Sequence, residues 1–312
     1  MEINRYHNKN LLVLGGSGFI GQHVVKKALK NNLKTTVLSK SNLKISDRIH
    51  GVTYWTADIR NKTNLLAVLE NKVFDYVVNL SGYVDHKDYL KGGDEVFDVH
   101  FNGVRNIVDC IDKSKLKSFI QIGSSDEYGN NPAPQSETQR EIPISIYSCA
   151  KVASTHFLQT LYVTEKFPAV ILRPFLVYGP GQDVGRFIPQ IVKGCLNSQI
   201  FPTSEGVQLR DFCFVEDFVQ AIFLSLDNEG AYGEVINVAS GIPVSIKHMI
   251  NMIVEIVGTG KPQFGLLPYR PGENKELYAE ISKSRSMLKW TPKVSLQDGI
   301  KLTIKYYRDG GL

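Results

Sequence analysis

The stretch Leu11-Leu12-Val13-Leu14-Gly15-Gly16-Ser17-Gly18-Phe19-Ile20-Gly21 decides the fold. Leu11 to Leu14 reads as a buried strand running into a tight turn, and Phe19 to Lys30 carries helical periodicity. Between them Gly15, Gly18 and Gly21 are spaced G-x-x-G-x-x-G. Glycine lets a backbone turn sharply and approach a pyrophosphate closely, and a helix N-terminus offers unpaired N–H groups and partial positive charge to phosphates. Strand, turn and helix in that order predict a dinucleotide-phosphate loop, with Gly15, Ser17, Gly18, Phe19, Ile20 and Gly21 along it. Ser17 offers either a hydroxyl to a phosphate or an N-cap to the helix.

Working outward, short apolar runs alternate with helical segments. Thr35–Leu38, Val52–Trp55, Tyr76–Leu80, Ser118–Ile122 and Ala169–Leu172 read as strands; Asn64–Glu70, a long amphipathic Asp94–Asp112 and Tyr147–Lys166 read as helices. That order predicts parallel βαβ units, hence an α/β protein with a Rossmann-type doubly wound sheet. The strands do not alternate apolar with polar, as expected where both sheet faces are covered. After Pro174 the pattern changes at Gly179-Pro180-Gly181. Helices at Phe187–Leu196 and Glu216–Leu226, a strand at Val235–Val238 and two C-terminal helices predict a smaller α/β substrate lobe. The expected division is residues 1–174 for the dinucleotide domain and 175–312 for the lobe, with a segment near 233–258 returning to the first domain.

The 312 residues are 43% hydrophobic and 21% charged, with a formal net charge of +5. This is ordinary globular composition. No basic run is long enough for a nucleic-acid tail, and no segment approaches a membrane span. Four scattered cysteines, without CxxC or zinc spacing, and a polar Met1–Asn10 point to a reducing, cytoplasmic setting without a structural metal.

The end of the second strand bears on cofactor choice. NAD enzymes place Asp or Glu there for the adenosine ribose, whereas this chain has Ser39 and Lys40. A cation and a hydroxyl suit a 2′-phosphate, so NADP(H) is the expected cofactor, with NAD(H) second. Asp58-Ile59, after the third strand, is a candidate adenine contact. Tyr147 and Lys151 lie four apart at the start of a helix and therefore share a face. An ammonium beside a phenol favours phenolate and makes tyrosine a usable acid/base near neutral pH.

These motifs, with Asn79-Leu80-Ser81-Gly82, Ser124-Ser125, Arg173-Pro174, Tyr178-Gly179-Pro180-Gly181, Arg210-Asp211-Phe212, Arg270-Pro271-Gly272 and Trp290-x-Pro292, occur in the order seen in extended short-chain dehydrogenases of the epimerase/dehydratase type. The chain resembles that family over nearly its whole length. The resemblance implies Tyr147 as acid/base, Lys151 as its tuner, and Ser124, with Ser125 beside it, bonding the substrate oxygen. It sets Leu80, Ser81, Gly82, Ile122 and Pro174 along the cofactor. It implies a nucleotide-diphosphate sugar as substrate and a homodimer built on the Asp94–Asp112 and Tyr147–Lys166 helices. Arg210 and Arg270, then Arg186 and Lys193, are the candidate diphosphate grips, and Phe187 or Phe201 a candidate neighbour of the base. One departure is His100, where the family usually has Asn.

Three reactions recur on this scaffold: 4-epimerisation, 4,6-dehydration and 4-keto reduction. A dehydratase has Glu two residues before the tyrosine of this turn; here Asp126 holds that place, and Glu127 sits beside Tyr128, where an apolar residue is usual. The Ser-Ser-Asp-Glu-Tyr-Gly segment and Arg186-Phe187-Ile188-Pro189 are similar to reductases of nucleotide-linked 4-keto-6-deoxyhexoses, such as those for GDP- and dTDP-linked sugars and CDP-abequose synthase. A 4-ketoreductase is therefore the expected activity, and a 4-epimerase the alternative.

Overall fold

A computed structural model of the chain describes residues 6–269 and 274–311. Six strands, β1 (Asn10–Leu14), β2 (Lys34–Ser39), β3 (Thr53–Thr56), β4 (Tyr76–Asn79), β5 (Ser118–Ile122) and β6 (Ala169–Pro174), pair in parallel. With Val235–Val238 beside β6 they form a seven-stranded sheet, which from that strand runs β6, β5, β4, β1, β2, β3. Every residue of β4 and β5 is buried, as expected for a parallel sheet. The strand order reverses between β1 and β4, a crevice where open α/β sheets bind ligands at the strands' carboxyl ends.

The helices of this part are α1 (Phe19–Lys30), α2 (Lys62–Leu69), α3 (Gly93–Phe97), α4 (Gly103–Cys110) and α5 (Ile146–Glu165). The predicted continuous helix over Asp94–Asp112 is instead α3, a π-helical stretch Asp98–Asn102, and α4. A π turn widens the helix by one residue. Here Ser154 Oγ, from α5, donates to the His100 carbonyl inside that stretch.

The chain divides into two compact units. The first runs to Gly129 and adds Arg140–Arg173 and Val219–Ile236. The returning segment is 219–236, which overlaps the expected 233–258 at 233–236. Tyr6 Oη donates to the Phe223 carbonyl and Tyr76 Oη to Asp227, tying it to the first unit. The helix Ile246–Val257 packs with Phe187–Leu196 and Leu296–Arg308 in the second unit.

That unit holds more strand than the sequence predicts. Leu209–Phe214 is the centre of a small sheet, antiparallel to Pro243–Ser245 and parallel to Glu276–Leu277 and Leu176–Tyr178. Among the described residues three helices, not two, follow Val238: Ile246–Val257, Ser282–Met287 and Leu296–Arg308. Strands of two or three residues have no period to read, and Arg210-Asp211 interrupts the one long run. Asp211 is fully buried because it accepts from the backbone N–H groups of Ser240 (2.7 Å), Gly241 (2.9 Å) and Ala279 (3.3 Å). No described helix is long and apolar enough to cross a membrane. No group of metal-ligating side chains occurs among the described residues.

Candidate active site

The phosphate loop is built as its glycines require. Gly15 has φ +74°, and a Cβ there would lie 2.7 Å from the Leu80 carbonyl oxygen. A Cβ on Gly21 would lie 2.4 Å from the Gly15 carbonyl. The loop therefore closes tightly against the end of β4, at the point where strand order reverses. Gly18 is the N-cap of α1, without a side-chain cap and with no acid in the first turn. The first N–H groups of a twelve-residue helix and its positive end thus lack a side-chain partner, which fits a dinucleotide pyrophosphate. Ser17 is not the N-cap: its hydroxyl bonds the Ser39 hydroxyl at 2.9 Å. Phe19 and Ile20 are half-buried on the first turn, Phe19 edge-on to His23.

The ribose corner follows. Ser39 ends β2 and is buried; Lys40 stands 3.8 Å from Asp58. Arg60, which no sequence motif singles out, forks onto Asp58, with Nε 3.1 Å from Oδ1 and Nη2 2.7 Å from Oδ2. These bonds to Arg60 hold the Asp58 carboxyl below its usual range. Ile59 points inward, and a Cβ on Gly103 would touch it at 2.6 Å. Asn106 Nδ2 donates to the Ile59 carbonyl at 2.9 Å and fixes this loop.

At the candidate catalytic corner Tyr147 and Lys151 are buried. Lys151, 6% exposed, donates to the Ile122 carbonyl at 2.8 Å, and its nitrogen lies 5.8 Å from the centre of the Tyr147 ring. Burial lowers its pKa to about 8, against the opposing pull of Glu127 and Asp126. A polar chain runs through the sheet to the same carbonyl. Ser81 N–H donates to Asn79 Oδ1 (3.1 Å), Asn79 Nδ2 to Gln121 Oε1 (2.8 Å), and Gln121 Nε2 to Ile122 O (3.1 Å). Gln121 could have been suspected as an amide inside the apolar run of β5.

His100 is a packed residue of this corner. Its ring meets Tyr147 edge-on, centroids 4.9 Å apart, and Nε2 donates to the Tyr83 carbonyl at 2.8 Å. Gly82 leaves the room: a Cβ there would lie 2.3 Å from His100 Cε1. Desolvation, then the Lys151 charge, lowers the His100 pKa to about 3, so the imidazole is neutral.

Ser124 caps the 3-10 turn Ser125–Tyr128, its Oγ accepting from Asp126 N–H at 3.1 Å. A hydroxyl that accepts there keeps its own hydrogen to donate to a substrate oxygen. Ser125 is buried at 4% exposure in the turn. The two carboxylates part company. Glu127 is fully buried, taking Ser124 N–H (2.8 Å), Thr155 Oγ (2.8 Å) and Arg173 Nη2 (2.7 Å). Asp126 faces out and bonds His86 Nε2 at 2.9 Å. Glu127 is thus a core residue where the family has an apolar one, and His86 joins the corner with no sequence signal.

Pro174 ends β6. In the second unit Arg210 lies in the central strand of the small sheet, 8% exposed, with Nη1 donating to the Leu209 carbonyl at 2.8 Å. Arg186 is the exposed N-cap of Phe187–Leu196, and Lys193 is exposed on that helix. Phe187 stacks on Phe212, and Phe201 packs beneath Gly194, so both rings serve packing within this unit. Arg270 lies outside the described residues.

Known proteins share this plan. The low-salt glycan biosynthesis protein Agl12 of Haloferax volcanii is 26% identical over 309 residues, 96% of this chain and 98% of that protein. The dTDP-D-glucose 4,6-dehydratase of Homo sapiens is 24% identical over 326 residues, 96% of this chain and 90% of that protein. A UDP-glucose 4-epimerase from Thermotoga maritima, solved with UDP-glucose, superposes with TM-score 0.89 at 26% identity, covering 96% of this chain and 99% of that one. The model of the NAD dependent epimerase/dehydratase family matches residues 11–239, and with the glycine loop, Tyr147 and Lys151 in place the chain belongs to that family.

Proposed function

We propose that this protein is an NAD(P)H-dependent reductase of a nucleotide-linked 4-keto-6-deoxyhexose, supplying a deoxysugar nucleotide for surface polysaccharide. The observation that carries this reading is the pairing of a tyrosine–lysine–serine corner with a ribose corner that has no carboxylate at the end of β2. Ser17, Ser39 and Lys40 offer hydroxyls and a cation there, with Arg60 forked onto Asp58 beside them, chemistry suited to a 2′-phosphate and to a cofactor that is exchanged after each reduction.

A nicotinamide cofactor held along the Gly15–Gly21 loop and beside Lys151 would supply hydride to the sugar carbon. Ser124 Oγ donates to the ketone oxygen, and Tyr147 Oη gives that oxygen its proton as the C–H bond forms. Lys151, charged below about pH 8, steadies the phenolate left behind. His100 keeps the Tyr147 ring in place without adding charge. Arg210, Arg186 and Arg270 are the groups assigned to the sugar nucleotide's diphosphate. The protein is expected to work as a cytoplasmic homodimer, with no nucleic acid or membrane partner.

A second reading is a nucleotide-sugar 4-epimerase, favoured by likeness to the Thermotoga maritima enzyme. The two separate when NADPH or NADH is mixed with dTDP-, GDP- and CDP-linked 4-keto-6-deoxyhexoses and nicotinamide absorbance is followed. Oxidation with one of them supports the reductase. Silence throughout, with UDP-glucose converted to UDP-galactose, overturns it in favour of the epimerase.

A further inference from the structure

We infer that Glu127 is a positioning residue of this corner: it fixes the Ser124 hydroxyl against the helix face of Tyr147 and Lys151, and it supplies a buried negative charge to that corner. The inference rests on the reading that Ser124, Tyr147 and Lys151 carry the reduction. Glu127 is 0% exposed, and hydrogen bonds from three segments end on its carboxylate. Oε1 takes the Ser124 N–H at 2.8 Å. Oε2 takes Thr155 Oγ1 of α5 at 2.8 Å, and Arg173 of β6 through Nε at 3.0 Å and Nη2 at 2.7 Å. Thr155 follows Lys151 at the spacing by which Lys151 follows Tyr147, so the three share one face of α5. Gly123 admits the carboxylate, because a Cβ there would lie 2.5 Å from Glu127 Oε1.

Stability alone is a poor reason for this arrangement. Taking two charges out of water costs free energy that well-packed apolar groups would not, so a buried ion pair adds little to folding. What it adds here is place. Arg173 is itself fully buried, bonded to Glu141 at 2.7 Å, with its guanidinium 4.7 Å from the centre of the Tyr128 ring. It holds Oε2 with two donors and leaves Oε1 to the Ser124 backbone. Ser124 Oγ accepts from the Asp126 N–H, so backbone and side chain of Ser124 are both tied within the turn. Lys151 meanwhile bonds the Ile122 carbonyl at the end of β5. The helix of Tyr147 is thus tied to β5 through Lys151, and to the turn through Thr155 and Glu127. Loosening the second tie would move the serine hydroxyl relative to the phenol.

The charge acts on Lys151. The charged and titratable groups around that lysine are Glu127 and Asp126 of the turn, His100 of the π-helical stretch and Tyr147 of its own helix, with Arg173 and Glu141 behind Glu127. His100 is neutral, its pKa lowered to about 3 by burial. The Asp126 side chain is 33% exposed and bonded to His86, so solvent screens it. Burial lowers the Lys151 pKa to about 8, and Glu127, ahead of Asp126, opposes that fall. Removing the Glu127 charge therefore lets the Lys151 ammonium be lost at a lower pH.

The test follows NADPH absorbance with dTDP-, GDP- and CDP-linked 4-keto-6-deoxyhexoses across the alkaline limb of kcat/KM. Glu127→Gln keeps the reach to the Ser124 N–H and loses the charge; the limb should move down by about one pH unit. Glu127→Asp keeps the charge and loses one methylene of reach; the limb should stay at the wild-type pH while kcat falls about tenfold and KM holds within about threefold. Because that loss acts through the serine, Glu127→Asp should cost less than about twofold when Ser124→Ala is already present. A limb that does not move in Glu127→Gln overturns the inference and leaves the reductase standing. So does a Glu127→Asp kcat within about twofold of wild type, or an equal tenfold loss on the Ser124→Ala background. If Glu127→Gln does not fold, the cycle of Glu127→Asp with Ser124→Ala decides by the same criteria. No NADPH oxidation by the wild type with any of the three sugars removes the reductase and the inference together.

Discussion

The two ends of the expected cofactor groove handle charge in opposite ways. At the catalytic corner Lys151 is buried and bonded to a backbone carbonyl, and desolvation pulls its pKa down to about 8. At the ribose corner Lys40 and Arg60 surround a carboxylate, and pairing with Arg60 pulls the acid below its usual range. Burial makes a lysine responsive near neutral pH; pairing makes a carboxylate inert. On the proposed reading the first corner would move a proton and the second would hold a charged group in place.

The largest test of that contrast is Tyr147→Phe. Turnover is expected to fall on the order of 10³-fold while cofactor affinity stays within about threefold, measured by steady-state kinetics and fluorescence titration. Survival of activity would dissolve the difference between the corners. Next is the alkaline limb. The Lys151 ammonium is present below its folded pKa and lost as pH rises through it. Turnover should therefore decline above about pH 8, roughly tenfold per unit, in a kcat/KM profile.

His100 gives the third measurement. Its folded pKa, about 3, lies below the unfolded value of about 6.5, so its contribution to stability is present above pH 6.5 and lost as pH falls toward 3. Between pH 7 and pH 5 wild type should lose about 2 kcal/mol more than His100→Asn in urea unfolding. Equal losses would mean that the ring is not dry. At the ribose corner, Lys40→Asp installs the carboxylate that NAD enzymes carry. The ratio of NADP to NAD affinity should fall about tenfold, roughly 1.4 kcal/mol, by titration of both cofactors. The smallest effect is expected for Lys40→Ala, whose melting temperature should stay within about 1 °C of wild type, because an exposed pair contributes little.

The corners also differ in how far the sequence discloses them. Tyr147 and Lys151 are legible because one helix face fixes their distance, and Phe19–Lys30 and Ser118–Ile122 fall at their predicted bounds because their patterns are long and uninterrupted. Arg60 was missed because its partner, Asp58, sits in a loop, where spacing does not determine geometry. His86 was missed because nothing local links it to a turn 40 residues on. Counting back from Tyr128 gave Asp126 and Glu127 their register, but not that Glu127 turns into the core to meet Arg173, which requires β6 to be in place. In the second unit the sequence of Leu209–Phe214 shows a binding motif and no strand, since a buried Arg-Asp pair hides the signature of one.

The widened turn at Asp98–Asn102 has a consequence for how this chain tolerates change in length. A π stretch behaves as one extra residue lodged in a helix. Deleting any one residue between positions 98 and 102 would restore regular winding and give the backbone a simpler ladder. It would also swing everything on one side by about a quarter turn or more, carrying His100 away from Tyr147 and its carbonyl away from Ser154. The surplus residue is thus a spacer. Shortened versions of this segment would be selected against for the placement of one aromatic ring, even where the shorter helix is the easier one to form.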